Sequence, residues 1–374
     1  MKSNYRYIVK AFMAMAVIAG TTSCDDFLDR EPMSSISPET YYSTAAQLEA
    51  NLNDEYPNVL PSFGQWTYGI FGEDKGTDNQ IEVNANDRYT QDRWKVPHSE
   101  SDNWKFERIY RINFFLSEAL PKFGEDMSGS QNTISGSVAT IKHYIGEMYF
   151  LRAYEYFKKL QLFGDFPIID QPLADEMEAL REASKRFPRN EVARFIISDL
   201  DKAYAYMSDV DMATTRINKD AAMLVKSRVA LFEATWLQNF KGTAFVPGGE
   251  GWPGASLHNN YQYPSGNLDN EVKYFLEQAV EASKLVADKY KGNLTENTGV
   301  LQQSADDPSN PYFDMFAQED LSDVKEVLLW RQYARGLSTH NINAAAGRGN
   351  YRIGLTRGFV QNFLMKDGTP VYAH

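Results

Sequence analysis

The side chains that could act as nucleophiles, acids or metal ligands are few in this sequence. Cys24 is the single cysteine, which excludes an internal disulfide framework and any cysteine-based zinc cluster. The five histidines (His98, His143, His258, His340 and His374) show neither H-E-x-x-H nor any paired spacing, so a catalytic zinc site has no support. A literal G-x-G-x-x-G stands at Gly249, Gly251 and Gly254. It has no strand before it and no helix opening on it, and Pro253 interrupts the turn, so it does not read as a dinucleotide site. No G-x-S-x-G occurs, and nucleophilic hydrolysis lacks its usual parts. Glu73, Asp74 and Asp78 could supply the two acids of a glycosidase, but carboxylates in glycine-rich loops mostly make turns and caps or stay solvated.

Aromatic residues in loops are the more informative group. A Trp or Tyr ring can cover a flat ligand face, and Asp, Asn and Arg can pair with a polar rim. Trp94, flanked by Arg88, Asp92 and Arg93, is the first candidate for such a contact. Trp66, Tyr89 and Tyr351 follow, with Asp74 and Arg88 as polar partners. For each single aromatic, packing of the loop onto a scaffold is the competing reading.

The elements that must position these residues are helical. The chain has 374 residues, 43% hydrophobic and 24% charged, the proportions of a globular protein with a large core. Thr44 to Gln47 is a T-x-x-Q capping box that leads into Ala45, Leu48, Leu52 and Tyr56 along one face. Residues 102–120 repeat the pattern through Ile109, Ile112, Leu116 and Ala119. Residues 138–163 are apolar on nearly every side, which predicts a buried central helix that ends at Gly164 and is kept from resuming by Pro167. Residues 190–207, a helix opening at the N-cap Asn218, and another after Asp269 complete the series. Trp104, Tyr154 and Trp236 fall on helical apolar stripes and read as core. Arg228 lies beside such a stripe; it pairs with Asp199 or Glu233, or snorkels to the surface. The long stretches 61–101, 242–267 and 334–357 are predicted to be irregular, the last following a short strand at Val327 to Tyr333.

At the amino terminus Lys2, Arg6 and Lys10 precede the apolar run Ala11 to Gly20, which has the length of a signal-peptide core and is too short to span a bilayer. Thr21, Thr22 and Ser23 then lead into Cys24. This resembles a bacterial lipobox, with Thr21 where most carry Leu, Val or Ile, and implies cleavage before an acylated Cys24. The expected organisation is a signal peptide over residues 1–23 and a single domain over 24–374. Loss of the leader's three cations takes the net charge from −12 to −15. So acidic a chain is unsuited to nucleic acid and to anionic lipid by charge alone, which leaves the lipid as its only membrane anchor. The acidic tether Asp25 to Glu31 resembles the surface-export signal of Bacteroidetes lipoproteins.

Residues 138–169 carry a family resemblance. Tyr144-Ile145-Gly146-Glu147-Met148-Tyr149-Phe150-Leu151-Arg152-Ala153-Tyr154-Glu155-Tyr156-Phe157, followed by Leu162-Phe163-Gly164-Asp165-Phe166-Pro167-Ile168, resembles the characteristic helix of the SusD/RagB family. Phe27-Leu28-Asp29, Ile196 to Leu200, Ala221 to Leu231 and Phe363 to Gly368 agree in order. The resemblance implies a mainly α, tetratricopeptide-like helix-pair superhelix with a loop-rich face and a few short strands. It implies a cell-surface glycan-binding lipoprotein of the outer membrane, facing the exterior. Such a protein captures oligosaccharides for a SusC-like TonB-dependent transporter, with no enzymatic activity and no cofactor. The family normally continues well past Lys366-Asp367-Gly368, so the chain ending at His374 is expected to be incomplete. The alternatives from other classes are a helical-repeat protein whose partner is another protein, and a carboxylate glycosidase.

Replacing Cys24 by Ala is expected to abolish membrane retention. Detergent-phase partitioning of the variant checks this: continued partitioning would remove the lipoprotein reading.

Overall fold

The computed structural model describes residues 41–64, 74–82, 91, 103–124, 126–208, 212–301, 304, 306–334, 339–340 and 353–373. Seven helices carry the scaffold: α1 (Ala45–Val59), α2 (Glu107–Phe123), α3 (Val138–Phe163), α4 (Met177–Ala183), α5 (Arg189–Tyr206), α6 (Lys219–Asn239) and α7 (Leu268–Tyr290). A short strand β1 (Gln80–Glu82) falls between α1 and α2. After α7 come the one-turn helix α8 (Pro311–Met315), the strand β2 (Ile353–Leu355) and α9 (Arg357–Gln361). The mainly helical reading holds.

Local chemistry sets the helix ends. Thr44 Oγ1 accepts from the Gln47 N–H at 3.3 Å while Gln47 Oε1 accepts from the Thr44 N–H at 3.1 Å, the reciprocal capping box that opens α1. Ser137, Asn218 and Asn267 cap α3, α6 and α7 with their side chains. Gly164, at φ 70°, closes α3 in a backbone region that favours glycine.

Packing follows chain order. α3 touches α1, α2 and α5; α5 touches α6; α6 touches α7. Successive helices therefore pair and stack, as tetratricopeptide-like helix pairs do. α3 is buried along most of its length, with Ile141, Ile145, Met148, Leu151 and Leu160 inaccessible. Gly146 allows its closest approach to α5, for a Cβ there would lie 2.9 Å from the Ala203 carbonyl oxygen and 2.8 Å from the Met207 nitrogen.

Buried ion pairs bind these layers. Arg152 of α3 donates from Nε and Nη2 to the two oxygens of Asp199 on α5, at 2.6 and 2.8 Å, and from Nη1 to Asn113 of α2 at 2.9 Å and the Asp170 carbonyl at 3.0 Å. Arg189 of α5 holds Glu233 of α6 at 2.9 Å. Arg194 of α5 grips Glu271 of α7 at 2.7 and 2.8 Å. Arg216, just before α6, donates to Glu147 of α3 at 2.7 Å, and the Tyr56 hydroxyl of α1 donates to the same carboxylate at 2.7 Å.

Several expectations need correction. The helix expected over 102–120 begins at Glu107, so Trp104 precedes it and packs half-buried, edge-on, against Phe106, Phe163 and Phe166. Val327 to Tyr333 is not a strand. Its backbone is held by bonds from Trp330 N–H to the Thr214 carbonyl and from Asn218 Nδ2 to the Leu328 carbonyl, and among the described residues no strand pairs with it. Arg228 makes neither expected ion pair. Asp199 and Glu233 are taken by Arg152 and Arg189, and Arg228 reaches the surface instead.

Phe157, 4% exposed and edge-on to Phe232 at 5.7 Å, is expected to cost about 3–5 kcal/mol of stability when cut back to Ala, read as a large fall in melting temperature. Arg152→Met leaves the Asp199 carboxylate buried without its guanidinium, at a similar cost of about 3–5 kcal/mol. The double change Arg152→Met/Asp199→Leu should recover much of that loss in denaturant unfolding.

Candidate functional site

Two of the irregular stretches meet. β1 and β2 pair antiparallel, Gln80 opposite Leu355, Ile81 opposite Gly354 and Glu82 opposite Ile353. The Thr356 N–H extends the contact to the Asn79 carbonyl at 2.9 Å, and the Thr356 hydroxyl bonds to the Asp78 carbonyl. The loops over 61–101 and 334–357 are thus tied at one register. Nearby, Arg331 bonds to the Ser62 hydroxyl, and the Tyr333 hydroxyl donates to the Phe63 carbonyl at 3.4 Å. These contacts draw the segment after α8 towards the end of α1.

Asp74 is exposed and shapes a turn. Its carbonyl accepts from the Thr77 hydroxyl at 2.7 Å, and its carboxylate from Asn79 Nδ2 at 3.4 Å. The other predicted site residues, Trp66, Arg88, Tyr89, Trp94 and Tyr351, lie outside the described residues, as do the lipidation candidate Cys24 and the carboxylate Glu73.

The stretch over 242–267 is irregular but closely packed. Trp252 is 5% exposed, and its Nε1 donates to Asp165 Oδ2 at 2.7 Å, while Asp165 Oδ1 accepts the Arg189 N–H at 2.9 Å. The glycines of the G-x-G-x-x-G serve this packing. A Cβ on Gly254 would lie 2.2 Å from the Trp252 ring, and one on Gly249 would lie 2.0 Å from the Thr243 carbonyl oxygen. Of the described histidines, His143 is buried against Glu147 and the Ile217 carbonyl, and His258 meets the Arg186 carbonyl at 2.8 Å. Among the described residues no cluster could hold a metal ion, and no helix is long and apolar enough to cross a membrane.

A cavity of about 810 Å³ opens where the end of α1, the middle of α3 and the first half of α6 converge beneath residues 326–332. This falls within the size range of small-molecule sites. Tyr56 and Leu60 come from α1 and its cap, Phe150 and Tyr154 from α3, Leu224, Val225 and Arg228 from α6, and Glu326 and Trp330 from the overlying segment. Trp330 is fixed from both ends: its N–H donates to the Thr214 carbonyl at 3.1 Å and its Nε1 to Thr214 Oγ1 at 2.8 Å. Tyr154 is only half-buried, since its ring borders this space rather than sitting wholly inside the core. Burial pushes its hydroxyl above the usual range, and Arg228 works against that shift. Trp236 is also half-buried, beneath the guanidinium of Arg189 at 4.1 Å.

The sequence reading missed this cavity. Tyr154 and Arg228 were legible only as scaffold, because helical spacing reports which face a residue lies on and not whether a neighbour covers it. Trp330 lies in an apolar run that reads equally as a strand.

Known proteins share this architecture. The family model described as "Starch-binding associating with outer membrane", of the SusD-like group, matches residues 26–231, more than half of the chain. SusD-like protein P2 of Formosa agariphila is 25% identical over 253 residues, 64% of this chain and 46% of that protein. SusD-like protein P25 of the same organism is 25% identical over 233 residues, 57% of this chain and 41% of that one. The chain thus spans a little under half the length of these relatives. A crystal structure of a SusD-like carbohydrate-binding protein from Bacteroides fragilis superposes with a TM-score of 0.54 at 14% identity, covering 88% of this chain and 55% of that one. The helix-pair scaffold and the match over residues 26–231 place this chain in the SusD-like family.

Proposed function

We propose that the protein is a carbohydrate-binding lipoprotein of the outer-membrane surface. It captures an oligosaccharide and hands it to a TonB-dependent transporter of the SusC type. The observation that carries this reading is the match of residues 26–231 to a family described as starch-binding and associated with the outer membrane. The geometry supports it in two ways. β1 pairs with β2, and residues 331 and 333 bond to residues 62 and 63 just past α1, so described parts of the two stretches that in sequence carry Trp66, Tyr89, Trp94 and Tyr351 are brought together. Beside them the cavity combines aromatic walls with isolated polar groups, the usual make-up of a ligand site. A glycosidase is the weaker reading for that cavity. Two carboxylates are needed for hydrolysis, and Glu326 is the one acid among the described residues that line it.

Anchorage comes from the acylated Cys24 in this proposal, with the domain outside the cell. The net charge, −15 once the leader's three cations are removed from the −12 of the full sequence, favours neutral over anionic glycans, since a like-charged polymer would be repelled on approach.

Titration calorimetry against soluble oligosaccharides, alongside an assay for released reducing ends, tests the reading. Binding without release is expected, and absence of binding across starch-, laminarin- and xylan-derived oligomers would overturn it. Trp94→Ala should weaken affinity at least tenfold, equivalent to about 1.4 kcal/mol, with little change in melting temperature. Unchanged affinity with lowered stability would place Trp94 in the packing instead.

A further inference from the structure

We propose that the cavity between α1, α3 and α6 is a saccharide subsite that takes a neutral sugar ring between Tyr154 and Trp330, with its hydroxyls on Arg228 and Glu326. The proposal rests on the carbohydrate-binding reading and adds a location and a set of contacts to it.

The polar groups of the cavity carry the argument. Glu326 Oε1 is buried and, among the described residues, accepts no hydrogen bond. Such an oxygen carries the full cost of lost hydration until a donor reaches it. Arg228 is the complementary case: among the described residues it makes no hydrogen bond and no ion pair, although Arg152, Arg189, Arg194 and Arg216 all hold carboxylates. The cavity therefore presents an acceptor without a donor and a donor without an acceptor, and the two do not satisfy each other.

The ligand chemistry follows from that pair. A carboxylate or sulfate would suit Arg228 but would meet the charge of Glu326; Arg331, the second guanidinium on the lining, is already engaged by the Ser62 hydroxyl. An amine would suit Glu326 and be repelled by Arg228. A neutral polyhydroxylated ring donates to one and accepts from the other. Its C–H face matches the remaining walls, where Leu224 is 43% exposed and Tyr154 and Trp330 are half-buried. Trp330 is held by Thr214 before any ligand arrives, so little ordering of its ring is left for binding to impose.

Arg228→Ala, Glu326→Gln and Leu224→Trp test the proposal in the full chain, the last by filling the space without altering charge. Affinities are measured by calorimetry for maltoheptaose, laminarihexaose, xylohexaose and hexagalacturonate, and folding is checked by thermal melting. The expected result is at least a tenfold loss of affinity for a neutral oligosaccharide in all three variants, with melting temperatures close to wild type. If the wild type binds a neutral oligosaccharide and all three variants bind it within twofold, the cavity is not the subsite, and carbohydrate binding stands on the loops alone. If hexagalacturonate binds most tightly and loses that affinity in Arg228→Ala, the neutral-ring assignment is overturned. If the wild type binds none of the four, the carbohydrate reading falls and the subsite with it.

Discussion

A helix buried on almost every side cannot set its own register by hydrophobicity, because rotating it about its axis exchanges one apolar contact for another. α3 is such a helix, and its polar residues remove the ambiguity. Arg152 must find acceptors once it is buried, and it finds them on three sides: Asp199 of α5, Asn113 of α2 and the carbonyl of Asp170. Tyr156, one turn on, accepts the Ile169 N–H at 2.8 Å and donates to the Ile169 carbonyl at 3.0 Å. Together these two side chains fix the segment that returns from Gly164 and set two neighbouring helices against α3. Glu147 does the same towards α1 and residue 216. Any packing that left Arg152 or Asp199 buried without its partner would carry the cost of an uncompensated charge, even where the pair adds little net stability over an apolar contact.

The environment of each carboxylate shows how far its partners offset burial. Burial pushes both Glu233 and Glu271 upwards. Glu233, fully buried and held among the described residues by Arg189, is pushed above the ordinary carboxylate value. Glu271 also accepts from Asn190 and Ser265 as well as Arg194, and its carboxyl ends below that value. By linkage, the contribution of Glu271 is complete above the ordinary carboxylate pKa and is lost as the pH falls through its lower folded value. Glu233 has the opposite sign: its ionised form is the one the fold disfavours, so its effect on stability becomes less favourable as the pH rises. The contact between α5 and α7 is thus better matched to neutral pH than that between α5 and α6.

The parts of this fold that were legible in the sequence are those governed by local rules. The continuous apolar character of residues 138–163, closed by Gly164, marked α3 at both ends, and Asn218 marked the start of α6. The ion pairs were half legible. Asp199 and Glu233 are carboxylates on buried stripes and must have cationic partners, but the arginines that hold them lie 47 and 44 residues away. Nothing local distinguishes Arg152 or Arg189 from Arg228 in that role. Val327 to Tyr333 failed as a strand for a related reason: a short apolar run such as Val327 to Trp330 reports that the segment is covered, while a strand also requires a neighbour to complete its hydrogen bonds. Here single bonds from Asn218 and to Thr214 do that work.

Stability and binding make different demands on polar groups, and the molecule separates them in space. Between the helices, guanidinium and carboxylate meet at 2.6–3.0 Å and are largely shielded from water. At the seam where residues 326–332 lie over α3 and α6, that rule lapses: among the described residues Glu326 keeps a buried oxygen without a donor, and the exposed Arg228 stands without a carboxylate. Trp330, bonded twice to Thr214, holds the covering segment in place over the cavity. The same anchoring therefore keeps the space open and leaves its polar groups unsatisfied. Arg228 is exposed, so leaving it unpaired costs the fold little, whereas the buried Glu326 oxygen carries the cost of lost hydration until a donor enters the cavity, as the proposed subsite requires.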